Sequence, residues 1–254
     1  MFDKEGRGGT STPTKIQVYP DGMNVVDGGR IEQDGVVFED DFCSVAIDST
    51  NRWNVSATGT SAAAEISAAI NGVCLLDSGT DPDLVSQISS PLNFAAAREV
   101  IFEARLRPIT SLAGIFLVFG LTDNILEDVA KLAFKDGSLV EASIDSWADD
   151  AAMFGIRQET SVNIYAMSVK DNAAPQSDDT GTDLVLNAWH IYRIELDSSG
   201  NAKFYIDGTL VATHALAITA ADPLCATVGQ MITTGSTAAF VEVDYIKVWQ
   251  SRVV

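Results

Sequence analysis

The stretch from Trp189 to His214, WHIYRIELDSSGNAKFYIDGTLVATH, constrains the fold more than any other part of the chain. Apolar and polar residues alternate through three segments separated by Ser198-Ser199-Gly200-Asn201 and by Asp207-Gly208. That pattern predicts three short antiparallel strands joined by tight turns. Tyr192, Ile194 and Leu196 share one face, and Phe204 with Ile206 continues it on the next strand, so this face is one wall of a core. Asp207-Gly208 is a type I′ hairpin signal, because both central residues tolerate positive φ and the resulting twist matches the flanking strands. Such a meander cannot bury its apolar face alone, and the rest of the chain must supply an opposing sheet.

The run W-H-x-Y-R-I-E-x-D-x-x-G-x-x-x-F-Y-I-D-G-x-L-V resembles paired strands of the concanavalin A-like jelly-roll superfamily, which includes laminin-G-like modules, legume-type lectins and family 16 glycoside hydrolases. Three further pieces agree in order: Phe38-Glu39-Asp40-Asp41-Phe42 with Trp53 after it, Glu99 to Leu106, and the ending Val243-Asp244-Tyr245-Ile246-Lys247-Val248-Trp249. The resemblance spans roughly residues 36 to 250. It implies an all-β fold, a concanavalin A-like β-sandwich of two antiparallel sheets, and it is specific for fold rather than function. Residues 36–254 are expected to form this jelly roll and residues 1–35 an extended N-terminal arm.

In the arm, Gly8-Gly9, Pro13, Pro20-Asp21-Gly22 and Gly28-Gly29 interrupt two short apolar runs. Segments so broken form strands only by pairing with something already ordered. Ile16, Val18, Tyr19, Val25 and Val26 are therefore the candidate partner-binding residues, adding strands to a neighbouring subunit or another protein, with a flexible tail as the alternative. Beyond the arm, strands are expected at 72–76, 84–88, 99–106, 131–134, 139–144, 153–157, 163–169, 224–232 and 240–249. Gly114 to Gly120 is apolar on both faces and belongs in a central strand. Thr58 to Ala69 reads as an edge or loop, Thr122 to Val129 as a loop or helical turn, and Lys170 to Thr182 as a surface loop.

With 16 basic against 35 acidic residues the formal charge is -19, which repels phosphate backbones and anionic lipid, so nucleic acid and membranes are not expected partners. The opening residues have no apolar h-region and no long uncharged apolar run occurs, which predicts synthesis in the cytoplasm without a signal peptide. Cys43, Cys74 and Cys225 are widely spaced with no CxxC, as expected of buried reduced thiols.

Hydrolases of the resembling superfamily carry E-x-D-x-x-E on one strand, where alternate carboxylates face one cleft. The nearest runs here are Glu242-Val243-Asp244-Tyr245-Ile246-Lys247, with lysine in the third place, and Glu141-Ala142-Ser143-Ile144-Asp145. No G-x-S-x-G elbow accompanies His190 or His214, so both histidines are expected to be structural. No cofactor is required. The resemblance does imply a structural calcium between the opening segment and the closing strand, at Asp41 and Asp244. For sugar binding, an exposed aromatic stacks on a pyranose while nearby carboxylates accept its hydroxyls. Trp147 with Asp145, Asp149 and Asp150 is the candidate group, against an aromatic tucked over the sandwich edge; Trp53, Trp189 and Trp249 fall on core-like phases.

The expectation from sequence is thus a non-enzymatic structural or binding protein. It resembles decoration or surface proteins of tailed bacteriophage, docking on a capsid or other virion protein through its arm, as a homo-oligomer on the virion surface. The alternatives are a lectin-like carbohydrate-binding module for surface glycans and a family 16-like glycosidase with a displaced site.

Overall fold

The computed structural model describes residues 16–17, 24–26, 30–31, 35–44, 46–57, 63–66, 72–80, 84–109, 114–125, 132–135, 145–157, 162–233 and 238–251. In the arm, β1 (Ile16–Gln17), β2 (Asn24–Val26) and β3 (Arg30–Ile31) form a small antiparallel sheet of their own, with Ile16 opposite Val25 and Val26 opposite Arg30. The two apolar runs thus find a backbone partner in each other; Val18 and Tyr19 lie outside the described residues.

The strands that follow are β4 (Gly35–Asp40), β5 (Asn54–Ala57), β6 (Ala63–Ile66), β7 (Cys74–Asp77) and β8 (Val85–Ser89). A 3-10 turn over Ala96–Arg98 leads into β9 (Ile101–Pro108), then β10 (Ile115–Thr122), β11 (Ala151–Arg157) and β12 (Asn163–Val169). Next come β13 (Gln176–Asp183), β14 (His190–Leu196), β15 (Ala202–Ile206), β16 (Thr209–His214), β17 (Cys225–Ile232) and β18 (Phe240–Ser251). They build two antiparallel sheets, as predicted: a seven-stranded one in the order β13-β12-β11-β10-β17-β8-β5, and an eight-stranded one in which β16-β15-β14-β9-β18-β7-β6 run in order and β4 also pairs β18. Among the described residues no helix is long and apolar enough to cross a membrane.

The predicted meander is β14, β15 and β16, and Asp207 and Gly208 take the positive φ values, 49° and 78°, that a type I′ turn requires. Tyr192, Ile194, Leu196, Phe204 and Ile206 all face the core. Across the sandwich they meet Phe119 of β10 and Phe154 of β11, with Tyr192 4.7 Å from Phe119 and 5.3 Å from Phe154, and Phe204 5.4 Å from Phe154. These edge-on contacts each add about 0.5–1.5 kcal/mol to the burial of the rings. β10 is buried along its whole length, as its two-sided apolarity predicts, because it sits mid-sheet with a layer on either face. Phe42 and Trp53 stack at 5.8 Å in the core, and the indole Nε1 donates to Asp40 Oδ2 at 2.8 Å.

Four sequence expectations change. Residues 176–183 form the edge strand β13 rather than a loop, since an edge strand needs backbone pairing on one side only and tolerates Ser, Asp, Thr and Gly. Trp189 and Trp249 are half-buried on the outer face of the eight-stranded sheet instead of in the core; the Arg105 and Arg107 guanidinium groups lie 4.6 and 4.5 Å from the Trp189 ring. Cys43 is exposed, while Cys74 and Cys225 are buried as expected, and burial pushes the Cys225 thiol up to about 12. The predicted strand at 131–134 is reduced to a bridge between Phe134 and Ser146, and 139–144 lies outside the described residues.

Candidate functional site

A flat sheet face is where an extended ligand would lie, so the outer face of the seven-stranded sheet is the natural place to look. Here that face is apolar over much of its breadth: Phe116 and Val118 of β10, Met153 of β11, Met167 and Val169 of β12, and Met231 of β17. It is roofed by the chain itself, because Leu132, Ala133, Phe134 and Ala148 pack onto it in one buried cluster. The roof is a hairpin-like strap, in which Trp147 N and Ala148 N both donate to Ala133 O, at 2.7 and 3.1 Å, and Lys135 N donates to Asp145 O at 3.0 Å. Its fit is close: a Cβ on Gly229 of β17 would stand 2.5 Å from Leu132 Cδ2.

Polar chemistry is displaced to one end of the same sheet. Antiparallel pairing puts the end of β10, the start of β11, the end of β12 and the start of β17 side by side, since Thr122 pairs with Ala151 and with Cys225, and Ala151 pairs with Val169. The residues flanking those strand ends therefore converge: Asp123 after β10, Asp149 and Asp150 before β11, Asp171 and Asn172 after β12, Thr219 and Asp222 before β17. Backbone bonds fix the arrangement, with Asp123 N donating to Asp150 O and Asn172 N to Asp149 O, both at 2.9 Å.

Asp150 is 1% exposed; its Oδ1 accepts from Thr219 N, and its carboxyl is hydrogen-bonded with that of Asp222. Oδ1 of Asp123 is buried and unpartnered. Burial, with the charges of Asp150 and Asp149 added, pushes the Asp123 carboxyl up to about 6. The Asp222 carboxyl is raised too, by burial and then by hydrogen bonding and charge from Asp150. This is a concentration of carboxylate whose hydrogen-bonding capacity is only partly used, fit to accept from hydroxyl or ammonium donors.

The four predicted sugar-binding residues are divided between the strap and this rim. Trp147 is 51% exposed on the strap, with Lys135 Nζ 4.5 Å from its ring centre. Asp145 is paired with Lys135, whose hydrogen bond holds its carboxyl below the usual range. Asp149 and Asp150 sit at the strand-end rim itself. Asp123, Asp171, Thr219 and Asp222 were not foreseen. Their common signal, a polar residue directly flanking an apolar strand, becomes readable only once the order of strands in the sheet is known.

The two positions named for calcium each have a protein partner. Asp244 Oδ2 is bound by Arg105 Nη1 at 2.7 Å, and Asp41 Oδ1 accepts from Cys43 N at 3.3 Å. Among the described residues no group of three or more His, Cys, Asp or Glu side chains is arranged to hold a metal ion. Glu242 is likewise held by Arg107, so the Glu242-Asp244 pair serves ion pairing on the outer face of the eight-stranded sheet; Glu141 lies outside the described residues. His214 does stand beside a serine and a carboxylate: Nδ1 is 2.7 Å from Ser168 Oγ and Nε2 is 3.4 Å from Asp178 Oδ2. Ser168 and His214 are both buried, so this chain ties β16 to β12 and β13 across the edge of the sandwich rather than presenting a nucleophile.

No protein-family model matches the chain, and no curated protein matches it. Solved structures do. A Bacillus licheniformis β-glucanase is similar over 85% of this chain and 99% of its own, at 14% identity and a TM-score of 0.56. A β-1,3-glucanase from Mycobacterium marinum matches 84% of this chain and 97% of its own, at 14% identity and a TM-score of 0.57. The carbohydrate recognition domain of Emp46p, in its potassium-bound form, matches 85% and 96%, at 10% identity and a TM-score of 0.56. The fold is the concanavalin A-like jelly roll.

These neighbours correct one expectation outright. Several are polysaccharide hydrolases, so the missing E-x-D-x-x-E run is no ground for calling the chain non-enzymatic, and that expectation is withdrawn. They lend nothing to the virion reading, to a capsid partner or to assembly through the arm.

Proposed function

We propose that this protein binds glycans at the rim where β10, β11, β12 and β17 end, with Trp147 as the stacking platform and Asp149, Asp150, Asp123 and Asp222 as acceptors for sugar hydroxyls. The observation that carries the reading is Trp147, 51% exposed, two residues before the exposed carboxylate of Asp149 in a carboxylate-rich rim. An exposed indole loses a hydration cost when it stacks on a pyranose face, and an exposed carboxylate oxygen gains a charge-assisted hydrogen bond from a hydroxyl. The likeness to a carbohydrate recognition domain and to glucanases supports it at the level of fold. A glycan array probed with the purified chain is the direct test. Binding that Trp147→Ala weakens at least tenfold, with the melting curve unchanged, supports the reading; an array without signal refutes it.

A hydrolytic use of the same rim is the second reading, and it rests on Asp123. A carboxyl pushed up to about 6 beside a second carboxylate is the pairing that supplies a proton to a leaving group. If Asp123 is such a proton donor, reducing-sugar release from β-glucans falls as pH rises above about 6 and is lost in Asp123→Asn. Release that is indifferent to Asp123→Asn removes this reading and leaves binding intact.

A further inference from the structure

A second concavity lies on the outer face of the eight-stranded sheet, away from the strand-end rim. Antiparallel pairing sets Ile101 of β9, Glu195 of β14, Lys203 of β15 and Thr213 of β16 in one row across four adjoining strands. These four, with Glu99 ahead of β9 and Asp197 and Asn201 in the β14–β15 turn, line a cavity of about 200 Å³. Glu195 and Lys203 stand directly opposite each other, where unlike charges ordinarily pair across strands. That pair is not made, because Glu195 is taken elsewhere: its Oε1 accepts from Arg193 Nη2 and its Oε2 from Tyr205 Oη at 3.1 Å. Asp197 is closed on its own turn, accepting from Ser199 N at 2.9 Å, Asn201 N at 3.0 Å and Asn201 Nδ2 at 2.7 Å. Among the described residues, neither the Lys203 ammonium nor the Glu99 carboxylate forms a hydrogen bond or an ion pair, and Lys203 reaches Asp197 only through its charge.

We infer that this cavity binds a small zwitterion, a free α-amino acid with an aliphatic side chain. The inference goes beyond the glycan reading and does not depend on it. Size narrows the ligand first: the cavity offers the space of about seven liquid waters, which takes a free amino acid and not an oligosaccharide. Charge narrows it further, since two unlike charges left apart in one cavity complement a ligand that carries both. The α-carboxylate accepts from Lys203 Nζ, and the α-ammonium donates to the Glu99 carboxylate. Between them Ile101, the Lys203 stem and the Thr213 methyl present carbon to an aliphatic side chain. A ligand with an ammonium alone leaves Lys203 facing a like charge, and one with a carboxylate alone faces Glu99, Glu195 and Asp197.

Because the whole chain carries a formal charge of -19, any cation is attracted to it, and the test must separate the cavity from the bulk field. Amide chemical-shift titration of the isotope-labelled full chain uses L-leucine beside three analogues: isoamylamine, which lacks the carboxylate, isocaproate, which lacks the amine, and glycine, which lacks the side chain. Leucine is expected to shift residues 99–101, 195–203 and 213 with a Kd of about 1 mM or tighter. Each analogue is expected to bind at least tenfold more weakly. Lys203→Met and Glu99→Gln are each expected to weaken leucine at least tenfold, while Asp222→Asn on the distant rim leaves it unchanged. Both substituted side chains are exposed, and melting curves show that the variants fold; the analogue series on the unsubstituted chain decides the matter without them. Isoamylamine bound as tightly as leucine marks general attraction of cations and overturns the inference. Isocaproate bound as tightly overturns it too, as do leucine shifts scattered over the surface or absent altogether. A blank glycan array with leucine bound removes the glycan reading alone, and glycan binding without a leucine response removes this inference alone.

Discussion

At the scale of single residues, Asp123 reports the rim's electrostatics most directly. Its carboxyl is pushed up to about 6 from an ordinary 3.8, by burial first and then by Asp150 and Asp149. A folded-state value above the unfolded one means the proton is held more tightly in the native protein, so the group's contribution to stability is complete below about pH 3.8 and is lost as pH rises to about 6. Asp123→Asn is therefore expected to stabilise the protein by about 1–2 kcal/mol at pH 8, discounted for the solvent that reaches this half-buried group, and to change little at pH 4. Urea unfolding at the two pH values checks it; an equal effect at both contradicts the electrostatic cause. Gly229 makes a steric counterpart, since its missing Cβ leaves room for Leu132 of the strap. Gly229→Ala is expected to loosen the strap without unfolding the sandwich, read as faster amide exchange at residues 132–135 and 145–148 at a nearly constant melting temperature.

At the scale of elements, the edge where β16 meets β12 and β13 depends on one buried histidine. His214 is 2% exposed, bonded to Ser168 Oγ, and its ring lies 5.0 Å from Phe204. Replacing His214 with Ala removes a packed ring and strands a buried hydroxyl, so a loss of about 2–4 kcal/mol is expected in chemical unfolding. A loss under 1 kcal/mol would show that this edge contributes little. How much of such an edge the sequence discloses depends on its chemistry. β14 to β16 were legible because alternation and an Asp-Gly turn are local signals. β13 was not, because Gln176 to Asp183 is polar enough to pass for a loop and owes its strand to backbone pairing with β12. The outer face of the eight-stranded sheet was half legible. Glu39, Lys247, Glu103 and Arg193 lie in one row across four strands with alternating charge, a pattern visible only after the register aligns them.

At the scale of the whole molecule, the jelly roll could be read from short motifs at its opening, its meander and its closing strand, since each encodes a piece of one core. The site could not be read in the same way. Trp147, Asp149 and Asp150 form a compact sequence signal, but Asp123, Asp171 and Asp222 join them only through the strand order of the seven-stranded sheet. Residues 132–135 and 145–148 pack as an apolar strap over Phe116, Val118, Met153 and Met231, and the strand-end rim is the polar margin beside it.

Hydrogen–deuterium exchange with and without a saturating bound oligosaccharide locates the ligand on the molecule. The expected result is slowed exchange confined to residues 122–124, 145–151, 169–172 and 219–225, the four strand ends and the strap carrying Trp147. Protection that falls instead on β4, β9, β14 and β18, or that is absent everywhere at saturation, would contradict a glycan site at this rim.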